Sequence, residues 1–280
     1  MNRSNSVQWT SPSNIALIKY WGKKPHQLPK NPSLSFTLKR STTRFKLSWS
    51  KKKNDKQKTS FLFSGKQETL FLKRIKRYLK SIEEYCPFIY DYDLEMESEN
   101  NFPHSAGIAS SASSMSALAL CLCSMEEALK KSSESKKVFF DKASFLARMA
   151  SGSASRSLFS PISCWGKTSV IPHSSDLKAV QVDELHPVFS DYRDAILLVD
   201  PSAKTLQSSE GHQLMNGHIA AEKRFVKARE NLEKLFHAMK TGDLETFGEI
   251  VETEALTLHG LIATSSPPHL LLKPNTLAIM

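Results

Sequence analysis

The chain has 280 residues, 40% of them hydrophobic, and a net charge of +10. That length suffices for one large domain or two small ones, and no apolar run approaches the roughly 20 residues that span a bilayer. Residues 1–6 lack the apolar stretch of a secretory signal, so a cytoplasmic protein without membrane attachment is expected.

The first strongly apolar stretch is Ile15-Ala16-Leu17-Ile18, read as a buried strand running directly into Lys19, Tyr20, Trp21, Gly22 and Lys23. A lysine in that position can also snorkel to the surface beside packed aromatic neighbours. Asn31-Pro32-Ser33 predicts a turn, and alternation predicts strands over 34–38 and 44–49. The lysine-rich run 51–58 reads as a hairpin tip leading to a strand over 60–63. Leu72, Ile75, Leu79 and Ile82 recur at helical spacing within 70–85, and Lys73, Arg74, Lys76, Arg77 and Lys80 crowd the same helix. No aromatic residues interleave the lysine run, as a single-strand nucleic-acid platform would require. A solvated loop accounts for the charge, and no nucleic-acid partner is expected.

A strand over 90–96 delivers the chain to Asn-Asn-Phe-Pro-His-Ser-Ala-Gly-Ile-Ala-Ser-Ser, which opens an Ala/Ser/Leu helix. Small residues before a helix start let backbone approach a ligand, and the first-turn N–H groups with the helix dipole suit phosphate. Ser110 and Ser111 add hydroxyls for phosphate or a bound Mg²⁺. The same pattern also describes a capped, buried serine-rich helix. It is neither a Walker loop nor a dinucleotide fingerprint, since it has one glycine and no following lysine.

A polar spacer over 130–137 precedes a helix over 139–149. This ends in Ser151, Gly152, Ser153, Ala154, Ser155, Arg156 and Ser157, either a helix C-cap and turn or a second anion cradle. Arg156 favours the cradle, being a bidentate donor for carboxylate or phosphate. A strand is expected over 162–165, and a polar stretch over 176–186 suits a domain boundary. A buried strand is expected over 194–200, followed by a loop over 204–211 that contains Ser208 and Ser209. Long helices are expected over 216–239 and 244–263. Glu222, Arg224, Arg229 and Glu230 are expected on the wet face of the first as intrahelical pairs. Cys86, Cys121, Cys123 and Cys164 show neither zinc spacing nor a dense disulfide framework, so free thiols in a reducing compartment are expected.

Three of these stretches, 13–23, 105–111 and 151–157, together resemble the diphosphomevalonate decarboxylases of the GHMP kinase superfamily; Ser208-Ser209-Glu210-Gly211 fits a later loop. The resemblance runs from about Trp9 to the end of the sequence. It implies an α+β fold in two parts: a ribosomal-protein-like N-terminal domain over 1–175 and a ferredoxin-like C-terminal domain over 176–280, incomplete here. It implies ATP and Mg²⁺ as cofactors, a phosphorylated mevalonate as substrate and a homodimer. Ser105, Ala106, Gly107, Ile108, Ala109, Ser110 and Ser111 would bind ATP, with Ser111 at the metal. Tyr20, Trp21, Gly22, Lys23, Ser151, Gly152, Ser153, Ala154, Ser155, Arg156, Ser208 and Ser209 would bind substrate, and Lys19 and Arg156 would be catalytic.

The sequence departs from that family in several places. Ser155 stands where Cys is usual, His104 where Thr or Ser is common, and His212 where Met is common; no role is expected for either histidine. The family's catalytic Asp lies in an Asp-Ala-Gly-(Pro/Ala)-Asn motif near its C-terminus, and the sequence ends at Met280 without it. Asp194 and Asp200 flank a different strand and do not replace it. A truncated chain that binds ligands better than it turns them over is expected. The rival readings are a mevalonate or phosphomevalonate kinase, a non-catalytic paralogue and a nucleic-acid-binding module.

Overall fold

The computed structural model describes residues 5–103, 108–199, 206 and 208–280, without the side chains of 208 and 209. The chain forms two compact units, and both interleave along the sequence. The first comprises residues 5–13, 38–103 and 108–158; the second comprises 14–37, 159–199, 206 and 208–280. The architecture is α+β, with a mixed sheet and helices.

Strand β1 (Asn5–Ile18) starts in the first unit and pairs with β2 (Ser33–Lys51), which ends there. The remaining strands are β3 (Thr59–Phe63), β4 (Lys66–Gln67) and β5 (Tyr92–Asn100), in the order β4-β3-β5-β2. The two strands expected over 34–38 and 44–49 are one continuous β2. Period-two alternation builds the core face: Phe45, Leu47 and Trp49 of β2 and Leu94 and Met96 of β5 are buried. Register puts Lys46 opposite Glu97 and Arg44 opposite Glu99 on the other face, where both pairs form salt bridges.

Strand β5 runs antiparallel to β2 and parallel to β3, so it separates them. The lysine run is therefore a connection and no hairpin tip. Its sequence lacks the Asn-Gly or Asp-Gly pair of a tight hairpin turn. The parallel β3–β5 pairing instead needs a crossover, which helix α1 (Thr69–Ser81) supplies. Its Ile75 and Leu79, with Ile82 just beyond, enter the core as their spacing predicts. Helices α2 (Ser110–Lys130) and α3 (Lys136–Ala150) complete this unit, and α2 is buried on all sides from Ala112 to Cys123.

In the second unit the first part of β2 pairs antiparallel with β6 (Ile162–Trp165), which pairs with β7 (Ala179–Gln181). Helix α4 (Ser208–Gln213) precedes two long helices, α5 (Ala221–Thr241) and α6 (Leu244–Ala263). Leu232, Leu235 and Met239 of α5 and Phe247 and Ile250 of α6 share one core with Leu17, Ile18, Leu34 and Phe36. Between these helices Gly242 adopts φ +82°, and a Cβ there would lie 2.6 Å from His186 Nδ1. Asp243 then caps α6 by accepting the Thr246 N–H at 3.0 Å. A short helix, α7 (Pro274–Ile279), follows α6.

Two expectations fail here. Residues 194–199 form no strand, and Ile196, Leu197 and Leu198 are exposed; Asp200 lies outside the described residues. A run of β-formers becomes a strand only where an edge pairs with it, and no described strand does so. Residues 208–211 are helical, the start of α4, where a loop was expected. Among the described residues no helix is long and apolar enough to cross a membrane.

Candidate active site

In the first unit the serine stretch enters α2 through Ala109, whose backbone is left-handed at φ 52° and ψ 43°. A residue with a Cβ pays roughly 1–2 kcal/mol for that conformation, so only a small residue is well tolerated. The loop is held from below. Ser13 of β1 donates its hydroxyl to the Ile108 carbonyl, and the Ala112 N–H closes a turn on Ala109 O at 2.8 Å. Ser110 and Ser111 remain partly exposed at the helix start. The serines behind them are structural. Ser113 meets Thr43 at 2.6 Å, and Ser116 meets Ser11. The interior serines of α2 pack and hydrogen-bond inside the unit, while among the described residues no side chain caps its amino end, which Ala109 opens. His104, Ser105, Ala106 and Gly107 lie outside the described residues.

The small-residue turn after α3 is a 3₁₀ segment, Gly152–Leu158. Gly152, Ala154, Ser155, Arg156 and Ser157 are all buried in this tight turn. Ser155 donates to Gly152 O at 2.8 Å, while its own carbonyl accepts from Ser144 of α3 at 3.3 Å. The hydroxyl at 155 therefore knits the turn, which explains why serine serves at this position. Ser151 and Ser153 face one another at 3.3 Å. Arg156 is only 3% exposed, set among these small residues. Ser11 of β1 reaches both Ser116 of α2 and the Ser157 carbonyl, so one strand residue ties the serine helix to the arginine turn.

In the second unit β1 ends at Ile18 and Lys19 begins the stretch to Lys23. The Lys19 ammonium donates to Ala16 O at 2.7 Å. Tyr20 is buried edge-on to Trp165, with centroids 4.6 Å apart. Gly22 has φ +83°, and a Cβ would meet the Phe225 ring at 2.8 Å, so conformation and space both require glycine. The following turn closes through Lys24 N–H to Leu28 O at 2.8 Å, with Lys23 bonded to Gln27 at 3.2 Å.

Arg224 corrects the expectation for α5. Glu222, Arg229 and Glu230 are exposed, but Arg224 is 3% exposed and bonds to Glu254 of α6 at 2.7 Å. Helical phase decides this: Arg224 shares the inward face with Phe225, Ala228 and Asn231. Arg229, expected in an intrahelical pair, instead donates to the Lys30 carbonyl at 2.7 Å. His212 has a place too. Its Nδ1 accepts the Gly22 N–H, and its ring lies 4.3 Å from Tyr20 and 4.8 Å from Trp21. Helix α4, which carries residues 208 and 209, is thereby joined to the Lys19–Lys23 stretch. Sequence reading missed Ser11, Asn231 and Glu254, gave Ser13 no role of its own within 13–23, put Arg224 on the wet face and assigned His212 nothing. Isolated polar residues on apolar faces were the only available signal.

Residues 11–176 match the diphosphomevalonate decarboxylase-like N-terminal domain. The chain belongs to the diphosphomevalonate decarboxylase family. It is 31% identical to the diphosphomevalonate decarboxylase of Debaryomyces hansenii, across 92% of this chain and 68% of that one. Among solved structures, the mevalonate diphosphate decarboxylase of Legionella pneumophila superposes with TM-score 0.79 at 30% identity, covering 98% of this chain and 84% of that one. The complex of MDDEF with MVAPP, AMPPCP and magnesium gives TM-score 0.78 at 27% identity, covering 99% and 81%. Of the stretches singled out for this decarboxylase family, all but Ser208-Ser209 fall within residues 11–176. No group of three His, Cys, Asp or Glu side chains suited to a metal occurs among the described residues. The hydroxyls of Ser110 and Ser111, partly exposed at the helix start, are hard oxygen donors of the kind magnesium accepts.

Proposed function

We propose that the chain binds ATP with Mg²⁺ and 5-diphosphomevalonate, and that its chemistry is ATP-dependent decarboxylation to isopentenyl diphosphate. The observation that carries this reading is that one family match, residues 11–176, contains the lysine, serine and arginine stretches together. The first residues of α2, with Ser110, Ser111 and the backbone of 105–109, hold the nucleotide phosphates through N–H and hydroxyl donors at a helix amino end. The bound nucleotide and its metal supply the phosphoryl group and offset its charge.

The chain's own residues orient and stabilise. Tyr20, Trp21, Gly22 and Lys23, the turn from Ser151 to Arg156, and Ser208 with Ser209 hold the substrate. Lys19 offsets negative charge that develops at the 3-oxygen during transfer. Arg156 aligns the carboxylate for loss. Once the 3-phosphate is in place, its C–O bond breaks as the electrons of the departing carboxylate form the new double bond. We also propose a homodimer and a cytoplasmic setting, and the four buried free cysteines support the latter.

The test is calorimetric titration with 5-diphosphomevalonate, 5-phosphomevalonate and mevalonate, each with and without Mg-ATP, followed by product analysis. The reading predicts tightest binding of the diphosphate. Any organic product should be an isoprenoid diphosphate formed with CO₂; a stable phosphorylated acid would point to a kinase instead.

A further inference from the structure

Lys19 is held in an unusual way. It is the first residue after β1, so its peptide groups lie where the strand's ladder ends. Its N–H donates to Glu254 Oε2 at 3.0 Å. Its carbonyl accepts from Asn31 Nδ2 at 3.1 Å and from Arg224 Nη2 at 3.4 Å. The same Glu254 oxygen accepts from Arg224 Nη2 at 2.7 Å, and Glu254 Oε1 accepts from Asn231 Nδ2 at 2.8 Å. One carboxylate from α6 and one guanidinium from α5 thus grip both sides of a single residue. The side chains of Arg224 and Glu254 are 1% and 2% exposed.

A buried ion pair is a poor route to stability alone, because desolvating each ion costs several kcal/mol and well-packed apolar residues often serve as well. Such a pair is good at fixing geometry, since its directions are set by hydrogen bonds in a dry interior. Here the geometry it fixes is that of Lys19 and, through the next peptide, of Tyr20. We propose that Arg224, Glu254 and Asn231 form a positioning clamp that sets the direction of the Lys19 side chain for the anionic substrate. This inference rests on the reading that Lys19 to Lys23 face the substrate. None of the three clamp residues touches substrate in this account. They act through Lys19.

The test uses the full 280-residue chain and compares affinity for 5-diphosphomevalonate with affinity for Mg-ATP by calorimetry, alongside thermal melting. Two mild variants, Asn231→Ala and Arg224→Lys, loosen the clamp while keeping a charge at each end. The paired variant Arg224→Met with Glu254→Leu removes the clamp without stranding an ion. Loss of one charge-assisted hydrogen bond is worth roughly tenfold or more in affinity, so the paired variant should lose at least about tenfold in substrate affinity. Mg-ATP affinity should change by less than about twofold, and the mild variants should fall between. Lys19→Ala separates the two levels of the argument. If Lys19→Ala weakens substrate binding and the folded clamp variants do not, the clamp is only structural and the proposal is wrong. Unaltered binding by Lys19→Ala overturns the reading of Lys19 and the clamp with it. Equal losses for substrate and nucleotide in the mild variants also contradict the proposal.

Discussion

His212 Nδ1 accepts the backbone N–H of Gly22 at 3.1 Å, in a buried setting between α4 and the turn after Lys19. An acceptor at Nδ1 requires the neutral ring with its proton on Nε2. His212→Phe would keep a flat ring against Tyr20 and Trp21 but leave the Gly22 N–H buried without that partner. Such a loss costs about 1–3 kcal/mol. Denaturant melts should show that drop, and a stability equal to wild type would mean the bond contributes nothing.

Ala109 carries the left-handed turn at the start of α2. Ala109→Gly should relieve strain and raise stability by up to about 1 kcal/mol, whereas Ala109→Val should lower it by more, since a β-branched side chain fits this region worst. Chemical denaturation of the two variants reads the sign directly. Destabilisation by glycine would show that the Ala109 methyl packs usefully.

His259 of α6 is pushed below the usual histidine range, first by burial and then by the nearby Lys19 charge. The folded state therefore favours the neutral ring. As pH falls below about 6.5 the unfolded chain takes up its proton first, so unfolding free energy declines toward the lower folded value and then levels. His259→Gln should flatten that acid limb. An unchanged pH profile in the variant would assign the limb to other groups.

All four cysteines are buried and free. Burial pushes the Cys86 and Cys121 thiols up to about 12 and raises Cys123 further. Thiolate is the reactive form, so a disulfide reagent at pH 8 should label these sites only after unfolding. Fast labelling of the native protein would show that the thiol-bearing core opens.

Legibility in the sequence followed periodicity. Leu72, Ile75, Leu79 and Ile82 announce α1, and the Gly-Asp pair at 242–243 with the apolar pattern after it gives α6 its observed bounds, Leu244–Ala263. The family was legible because three separated stretches, 13–23, 105–111 and 151–157, carry its small residues and cations in the same order. What was lost depended on tertiary partners. Arg224 looks like a surface residue until helical phase turns it toward Glu254, thirty positions away. Residues 194–199 read as a strand from their side chains alone, though pairing is decided by an edge elsewhere. The lysine run read as a hairpin because nothing local reveals that β5 lies between β2 and β3.

The most direct measurement concerns Arg156, which is buried in a turn of small residues and is proposed to pair with the substrate carboxylate. Lysine cannot copy a bidentate guanidinium. Calorimetric titration of Arg156→Lys with 5-diphosphomevalonate should show at least about a tenfold loss of affinity, the scale of one charge-assisted hydrogen bond. Mg-ATP binding to the same sample should stay within about twofold of wild type. Substrate affinity equal to wild type, in a variant that still folds and binds nucleotide, would contradict the proposed site.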